Sequence, residues 1–268
     1  MPTDSSSSHE HHPSLRTMLD FAVDAAWQAG KITLEYFQTG TAVEHKADAS
    51  PVTLADRRAE QKLREYIQLA FPDHGILGEE FGEVIGRSPY RWVLDPLDGT
   101  RSFIQGVPMY GVMIGLEHQG HPVLGVVHLP ALGETVYAAR GDGCYWNGRR
   151  AHVSTISQLG EAVVLATSVR SLYEEGRGPV FESLQGRTRL QRTWGDCYGH
   201  ILIATGRAEV MLDPILQIWD CAALQPILEE AGGTFTDWQG TPTHTGGNGL
   251  STNGHLFEAV MEIIRSNR

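Results

Sequence analysis

The stretch Trp92-Val93-Leu94-Asp95-Pro96-Leu97-Asp98-Gly99-Thr100 sets two carboxylates three positions apart at the end of an apolar run, with a Gly-Thr pair directly behind them. Pro89 and Pro96 bracket the aromatic-rich residues 90–94. The run therefore reads as a buried strand whose C-terminal end opens into a loop, a favoured place for an active site. Asp95 and Asp98 supply hard anionic oxygens and Leu97 offers a carbonyl between them. No Cys or His falls inside the motif, so the donor set suits Mg²⁺ rather than Zn²⁺. Gly99 and Thr100 add close-approach backbone N–H groups and a hydroxyl. Carboxylates repel a phosphate, so one loop holds both only with cations between them. The stretch reads as a metal-dependent phosphate site or as a surface turn, since Asp, Pro and Gly are also the commonest turn formers.

Two further segments run into carboxylates. Ile76-Leu77-Gly78-Glu79-Glu80 is a short apolar run ending in two glutamates, and Ile218-Trp219-Asp220 sets a carboxylate at the start of an apolar helix. Asp220 serves there as N-cap, as ligand, or as both. Ser50-Pro51-Val52-Thr53-Leu54-Ala55-Asp56 reads as a helix start. Pro51 falls in its first turn, and amphipathic spacing runs from Leu54 through Leu63 to Ile67. Asp56 in that first turn also suits the helix dipole.

The 268 residues are 41% hydrophobic, enough for one large domain or two small ones. A net charge of −11 without a basic stripe argues against nucleic acid as a partner. Cys144, Cys197 and Cys221 form no CxxC pattern, and an odd count makes a poor disulfide framework, so a reducing compartment is expected. Residues 1–13 are polar and serine-rich and read as a disordered tail, in which His9, His11 and His12 bind metal only adventitiously. With no apolar leader and no stretch long enough to span a bilayer, the expectation is a soluble, cytoplasmic protein without membrane contact.

Residues 15–37 carry apolar side chains at helical spacing (Leu15, Met18, Leu19, Ala22, Ala26, Ala29) and predict a core-facing helix. Residues 109–117, 123–128 and 134–139, followed by the turn Asn147-Gly148, read as an antiparallel meander. Beyond Val153, short apolar strands at 162–166, 208–212 and 234–236 alternate with helices. The expected organisation is an α+β half over 14–152 and an α/β half over 153–268. Pro226 should break or kink a helix beginning at Asp220, at a cost of up to ~3 kcal/mol.

Three ordered elements carry a family resemblance over nearly the whole chain from Leu15 onward. They are Gly78-Glu79-Glu80, Asp95-Pro96-Leu97-Asp98-Gly99-Thr100, and Trp219-Asp220 followed by Glu230-Ala231-Gly232-Gly233. The chain resembles the inositol-monophosphatase superfamily of Mg²⁺-dependent phosphatases. The resemblance implies an α/β fold layered α/β/α/β/α, with the active site where the halves meet. It implies one metal on Glu79, Asp95 and the Leu97 carbonyl, a second on Asp95, Asp98 and Asp220, and a weaker third near Glu79. Two to three Mg²⁺ ions, or Mn²⁺, would occupy these positions. Asp56 and Thr100, with Glu79 nearby, would orient and deprotonate the attacking water, while Asp98, Gly99 and Thr100 would meet the phosphate. The family commonly dimerises, and residues 103–111 offer a contributing surface.

The resemblance also places Asp213, seven residues before Asp220, against the leaving alcohol. Asp196 in Trp194-Gly195-Asp196-Cys197-Tyr198 is a second such carboxylate or a helix N-cap. Two carboxylates at that end suit a cationic alcohol. With the Trp-Gly-Asp-Cys-Tyr-Gly and Ile-Leu-Gly-Glu-Glu-Phe-Gly segments and the Gly-Val-Pro after Phe103, the chain looks most like the histidinol-phosphatase branch. Histidinol phosphate is then the expected substrate, with inositol 1-phosphate or another sugar-alcohol monophosphate as runner-up. A bisphosphate nucleotide fits less well, because no basic pocket accompanies Asp196 and Asp213. The expected chemistry is direct in-line attack by water. A reading of another class is a catalytically silent metal- or phosphate-binding regulator.

Overall fold

The computed structural model describes residues 13–40, 42–45 and 51–267. The tail read at 1–13 lies, but for Pro13, outside the described residues. The chain runs α1 (Leu15–Tyr36), β1 (Val43–His45), β2 (Pro51–Thr53), α2 (Leu54–Ala70), β3 (Gly75–Gly78), β4 (Gly82–Val84), β5 (Tyr90–Asp98) and α3 (Thr100–Ile104). The meander follows as β6 (Gly111–His118), β7 (His121–Leu129), β8 (Glu134–Ala139), β9 (Gly143–Trp146) and β10 (Arg149–Arg150). Next come β11 (Val163–Ala166), α4 (Val169–Glu174), α5 (Gly178–Gln185), β12 (Leu190–Arg192), α6 (Asp196–Ala204) and β13 (Val210–Asp213). The chain closes with α7 (Ile218–Cys221), α8 (Leu224–Glu230), β14 (Thr234–Thr236), β15 (Gly249–Thr252) and α9 (Phe257–Ser266).

Among the described residues, one sheet has strand order β10-β9-β8-β7-β6-β5-β3-β4 and a second has β12-β11-β13-β15-β14. Side chains alternate across each sheet, and that alternation builds the layers. Val112, Ile114 and Leu116 of β6 pack with Met18, Ala22, Ala26, Leu63 and Ile67 of α1 and α2. Met113 and Val127, on the opposite face, pack with Ile201 of α6, Leu224 and Ile227 of α8, and Leu165 and Met211 of the second sheet. Val164, Val210 and Leu212 face outward onto Leu172, Val180 and Ile264 of α4, α5 and α9. The result is an α/β/α/β/α sandwich.

The first helix and the meander lie where the periodicity puts them, and α2 carries Asp56 in its first turn as expected, but it starts later than Pro51. Pro51 belongs to β2, paired with β1 through His45, and the helix begins at Leu54, capped by the Thr53 hydroxyl, which accepts from Ala55 N–H at 3.1 Å. Leu54 is 45% exposed; the inward stripe is Ala55, Asp56, Ala59, Glu60, Leu63, Arg64 and Ile67. Leu63 and Ile67 of the expected stripe lie on it and Leu54 does not, while three of its members are charged and carry no apolar signal. Nor does Pro226 incur the expected cost. The segment divides into α7 and α8, and Pro226 falls in the first turn of α8, where a missing N–H breaks no intrahelical bond. The junction packs tightly on the first sheet, since a Cβ at Gly125 would lie 2.0 Å from the Ala223 carbonyl oxygen. That close approach carries Asp220 down onto the end of β5.

Candidate metal and phosphate site

Asp95 and Asp98 would face opposite sides of a regular strand, being three residues apart. A bulge corrects this. Asp95 pairs with Met113 and Asp98 with Gly111, so β5 spends three steps where β6 spends two, and the two carboxylates turn to the same side. Asp220 joins them from α7, and oxygens of Asp95, Asp98 and Asp220 all lie within 4.8 Å of one another. Each carboxylate is oriented by a main-chain N–H. Leu97 donates to Asp95 at 2.9 Å, Cys197 to Asp98 at 2.5 Å and Gln217 to Asp220 at 2.7 Å.

Burial pushes all three carboxyls up. Asp95 rises well above the usual carboxylate range through burial first, then the charges of Glu79, Asp98 and Asp220. Asp98 is pushed up to about 7 by burial and then Asp220. Asp220 also reaches about 7, through burial, with Glu79 adding and the Gln217 N–H offsetting. Crowded, desolvated like charges are unfavourable unless cations join them. Hard carboxylate oxygens with a nearby carbonyl are the donors a hard divalent cation takes, so the residues fit a metal.

Glu79 follows β3, and its N–H donates to the Leu94 carbonyl at 3.2 Å. Its half-buried side chain lies close enough to raise Asp56, Asp95 and Asp220. The Glu79 loop is held by Glu60, a residue that motif reading missed. Fully buried on α2, Glu60 accepts N–H bonds from Glu80 at 2.7 Å and Phe81 at 3.2 Å and pairs with Arg64 at 2.7 Å. Gly78 is required beside it, since a Cβ there would meet Glu60 Oε1 at 2.1 Å. The only signal was a glutamate four residues after Asp56 on one helix face.

Asp56 is buried, and its Oδ2 accepts the Thr53 N–H at 2.8 Å and hydroxyl at 2.5 Å. Burial raises its pKa against those bonds. Its other oxygen faces the Thr100 hydroxyl at 3.4 Å, while the same hydroxyl lies 3.0 Å from the Leu97 carbonyl. Thr100 thus links Asp56, read from a separate segment, to Leu97 of its own motif. Gly99 stands immediately before α3, with φ +84°.

Beyond Asp98 opens a cleft lined by Thr167, Asp196, His200, Asp213 and Leu216. Asp213 is 3% exposed; its Oδ2 lies 3.0 Å from His200 Nε2. Asp196 is not an N-cap. Gly195 holds that position, and Asp196 opens α6 with φ +53°, its N–H bound to the Thr167 hydroxyl at 2.8 Å. Burial, then Asp98 and Asp213, lift the Asp196 carboxyl well above its usual range. Thr167 and His200 carried no motif and were not foreseen.

A buried acid cluster at the junction of two sheets, beside an Asp–Thr pair and a polar cleft, defines a phosphomonoesterase of the metal-binding class. The chain belongs to the Inositol monophosphatase family, whose sequence pattern matches residues 14–267. It is 47% identical over 248 residues to a histidinol-phosphatase of Chlorobaculum parvum, covering 92% of this chain and 96% of that one. A histidinol-phosphatase of Streptomyces coelicolor is 36% identical over 231 residues, 83% of this chain and 86% of that one. Among solved structures, the extragenic suppressor protein suhB of Bartonella henselae aligns with a TM-score of 0.87 at 30% identity, over 93% of this chain and 98% of that one. These relatives leave the silent-regulator reading without support.

Proposed function

We propose that this chain hydrolyses L-histidinol phosphate to L-histidinol and inorganic phosphate, with Mg²⁺ as its metal. The observation that carries the reading is the pair Asp196 and Asp213 on the cleft beyond Asp98, whose described lining holds no Lys or Arg, although Arg101 lies near enough to Asp196 to offset part of its charge. Paired, poorly solvated carboxylates call for a cationic ligand, and histidinol offers an ammonium and an imidazole where inositol offers neutral hydroxyls. The 47% identity to a histidinol-phosphatase supports the same substrate.

Glu79, Asp95, Asp98, Asp220 and the Leu97 carbonyl would hold the metal, which supplies phosphate-charge neutralisation and a more acidic water. Asp56 takes the Thr100 hydroxyl hydrogen, turning that oxygen's lone pairs toward the attacking water. Backbone N–H groups at Gly99 and Thr100, beside Asp98, meet the phosphate oxygens. Water attacks phosphorus in line with the P–O bond that breaks, its proton passing through the Thr100 hydroxyl to Asp56 while the departing alkoxide takes a proton from solvent water, and no covalent enzyme intermediate forms. Asp196 and Asp213 hold the cationic alcohol throughout.

No described helix is long and apolar enough to cross a membrane. The cytoplasmic assignment rests on Cys144, Cys197 and Cys221, which are buried and free. A homodimer is the assembly we favour. Of residues 103–111, Phe103, Tyr110 and Gly111 are buried within their own chain, so the exposed Gln105 and the half-buried Ile104, Gly106, Val107, Pro108 and Met109 remain for a second copy. The substrate reading is tested by Asp196→Asn and Asp213→Asn. Each should raise KM for L-histidinol phosphate more than for myo-inositol 1-phosphate, and equal effects on both would contradict it.

A further inference from the structure

The cleft carboxylate of Asp213 is not left to itself. Met211 and Asp213 of β13 share one face of the second sheet, being two residues apart. Met211 pairs with Ser251 of the antiparallel β15, so Ser251 stands on that face too. His200 of α6 lies over it. Its Nε2 is 3.0 Å from Asp213 Oδ2 and its Nδ1 is 2.7 Å from the Ser251 hydroxyl. All three are buried, with His200 1% and Ser251 0% exposed. The ring also sits against Phe235, centroids 5.8 Å apart, and the Asp213 main chain is held by Trp238 Nε1 at 3.0 Å.

From this chain of contacts we infer that His200, braced by Ser251, is a positioning residue that aims the free oxygen of Asp213 at the alcohol end of the substrate. The Ser251 hydroxyl donates to Nδ1, which places the ring hydrogen on Nε2, and Nε2–H donates to Asp213 Oδ2. One carboxylate oxygen is thereby fixed, and the other faces the cleft with its rotamer set. A carboxylate already held pays little further ordering cost when a cation arrives, which is the general gain from preorganisation. The His200 ring nitrogens are taken up by Ser251 and Asp213, so its influence falls on binding of the alcohol through Asp213. The inference rests on the reading that Asp213 meets that alcohol.

The test is a double-mutant cycle read in steady-state kinetics on L-histidinol phosphate with Mg²⁺. His200→Leu should raise KM roughly tenfold while kcat stays within about threefold. His200→Gln, whose amide can donate from near the Nε2 position, should recover most of the loss, and Ser251→Ala should give a smaller rise in KM. In an Asp213→Asn background, His200→Leu should change KM by less than about twofold, because its partner is already altered. Thermal unfolding of each variant separates a folding defect from a positioning one. Additive effects in the cycle, or a fall in kcat at unchanged KM, would overturn the inference. If the wild type cleaves only a neutral-alcohol ester, the substrate reading fails separately, and the same cycle on that ester decides the anchoring: non-additivity upholds it and additivity overturns it.

Discussion

The Cys197 main-chain N–H, in the first turn of α6, donates to the Asp98 carboxylate at 2.5 Å across 99 positions of sequence. A ligand on the first sheet is therefore oriented by an element that packs between the two sheets, and Asp220 arrives from that same middle layer. The acid cluster is a seam between the two sheets.

Removing one carboxylate should separate activity from stability. Asp95→Asn and Asp220→Asn should each lower kcat by about 10³-fold or more, since several kcal/mol of charge stabilisation depend on the cation. Without metal, the same variants should melt at or above the wild-type temperature, because each relieves repulsion within a buried like-charge cluster. Phosphate-release assays and thermal melts in EDTA check both halves of this. A variant with full activity would remove the metal assignment.

The metal-free protein should lose stability as pH rises. Asp98 and Asp220 have carboxyls lifted from the ordinary value to about 7 in the fold. Between about pH 4 and pH 7 the folded state then holds more protons than the unfolded one, so unfolding free energy falls with pH across that window. Metal binding needs the deprotonated cluster. The rise in Tm on adding Mg²⁺ should accordingly be larger near about pH 8 than near about pH 5.5, read by scanning fluorimetry in both buffers. A larger shift at the acid pH would contradict the assignment.

Thr100→Val and Asp56→Asn should lower kcat by about 10²- to 10⁴-fold, the usual span for a positioned proton-transfer group, with modest changes in KM. The two residues differ in their share of stability. Asp56 also accepts the Thr53 N–H and hydroxyl at the start of α2, so Asp56→Ala, which removes both bonds, should cost about 1 kcal/mol, whereas Asp56→Asn and Thr100→Val should leave Tm near the wild-type value. Urea unfolding beside kinetics tells the capping role from the catalytic one.

Glu60 predicts the largest loss of stability. Glu60→Ala strips Arg64 and the Glu80 and Phe81 N–H groups of a buried partner, a change that costs about 3–5 kcal/mol for a broken buried pair. Gly78→Ala, which drives a methyl into the same carboxylate, should fail in the same direction. Denaturant midpoints measure both. A wild-type midpoint in either variant would mean that the Glu79 loop is held some other way.

What could be read from sequence was local or strongly periodic. β5, the β6–β8 meander and α1 declare themselves through apolar runs, alternation and helical spacing, and the acids of β5 and α7 lie in recognisable motifs. β4, β12 and β15 are short, and Gly82–Val84 is wholly exposed, so none has an apolar pattern to detect. Pro51 suits a helix start and a strand equally well until pairing with His45 decides. Glu60 and His200 gain their roles from partners 20 or more positions away, Glu80 and Ser251, a relationship that spacing along the chain does not encode. Asp98 and Asp220 were legible as acids, but the bulge that turns Asp98 beside Asp95 was not.

The most direct test is phosphate release from L-histidinol phosphate and myo-inositol 1-phosphate side by side, with Mg²⁺ and with EDTA. The account predicts Mg²⁺-dependent release with a strong kcat/KM preference for L-histidinol phosphate. A preference for myo-inositol 1-phosphate, or release that persists in EDTA, would contradict it.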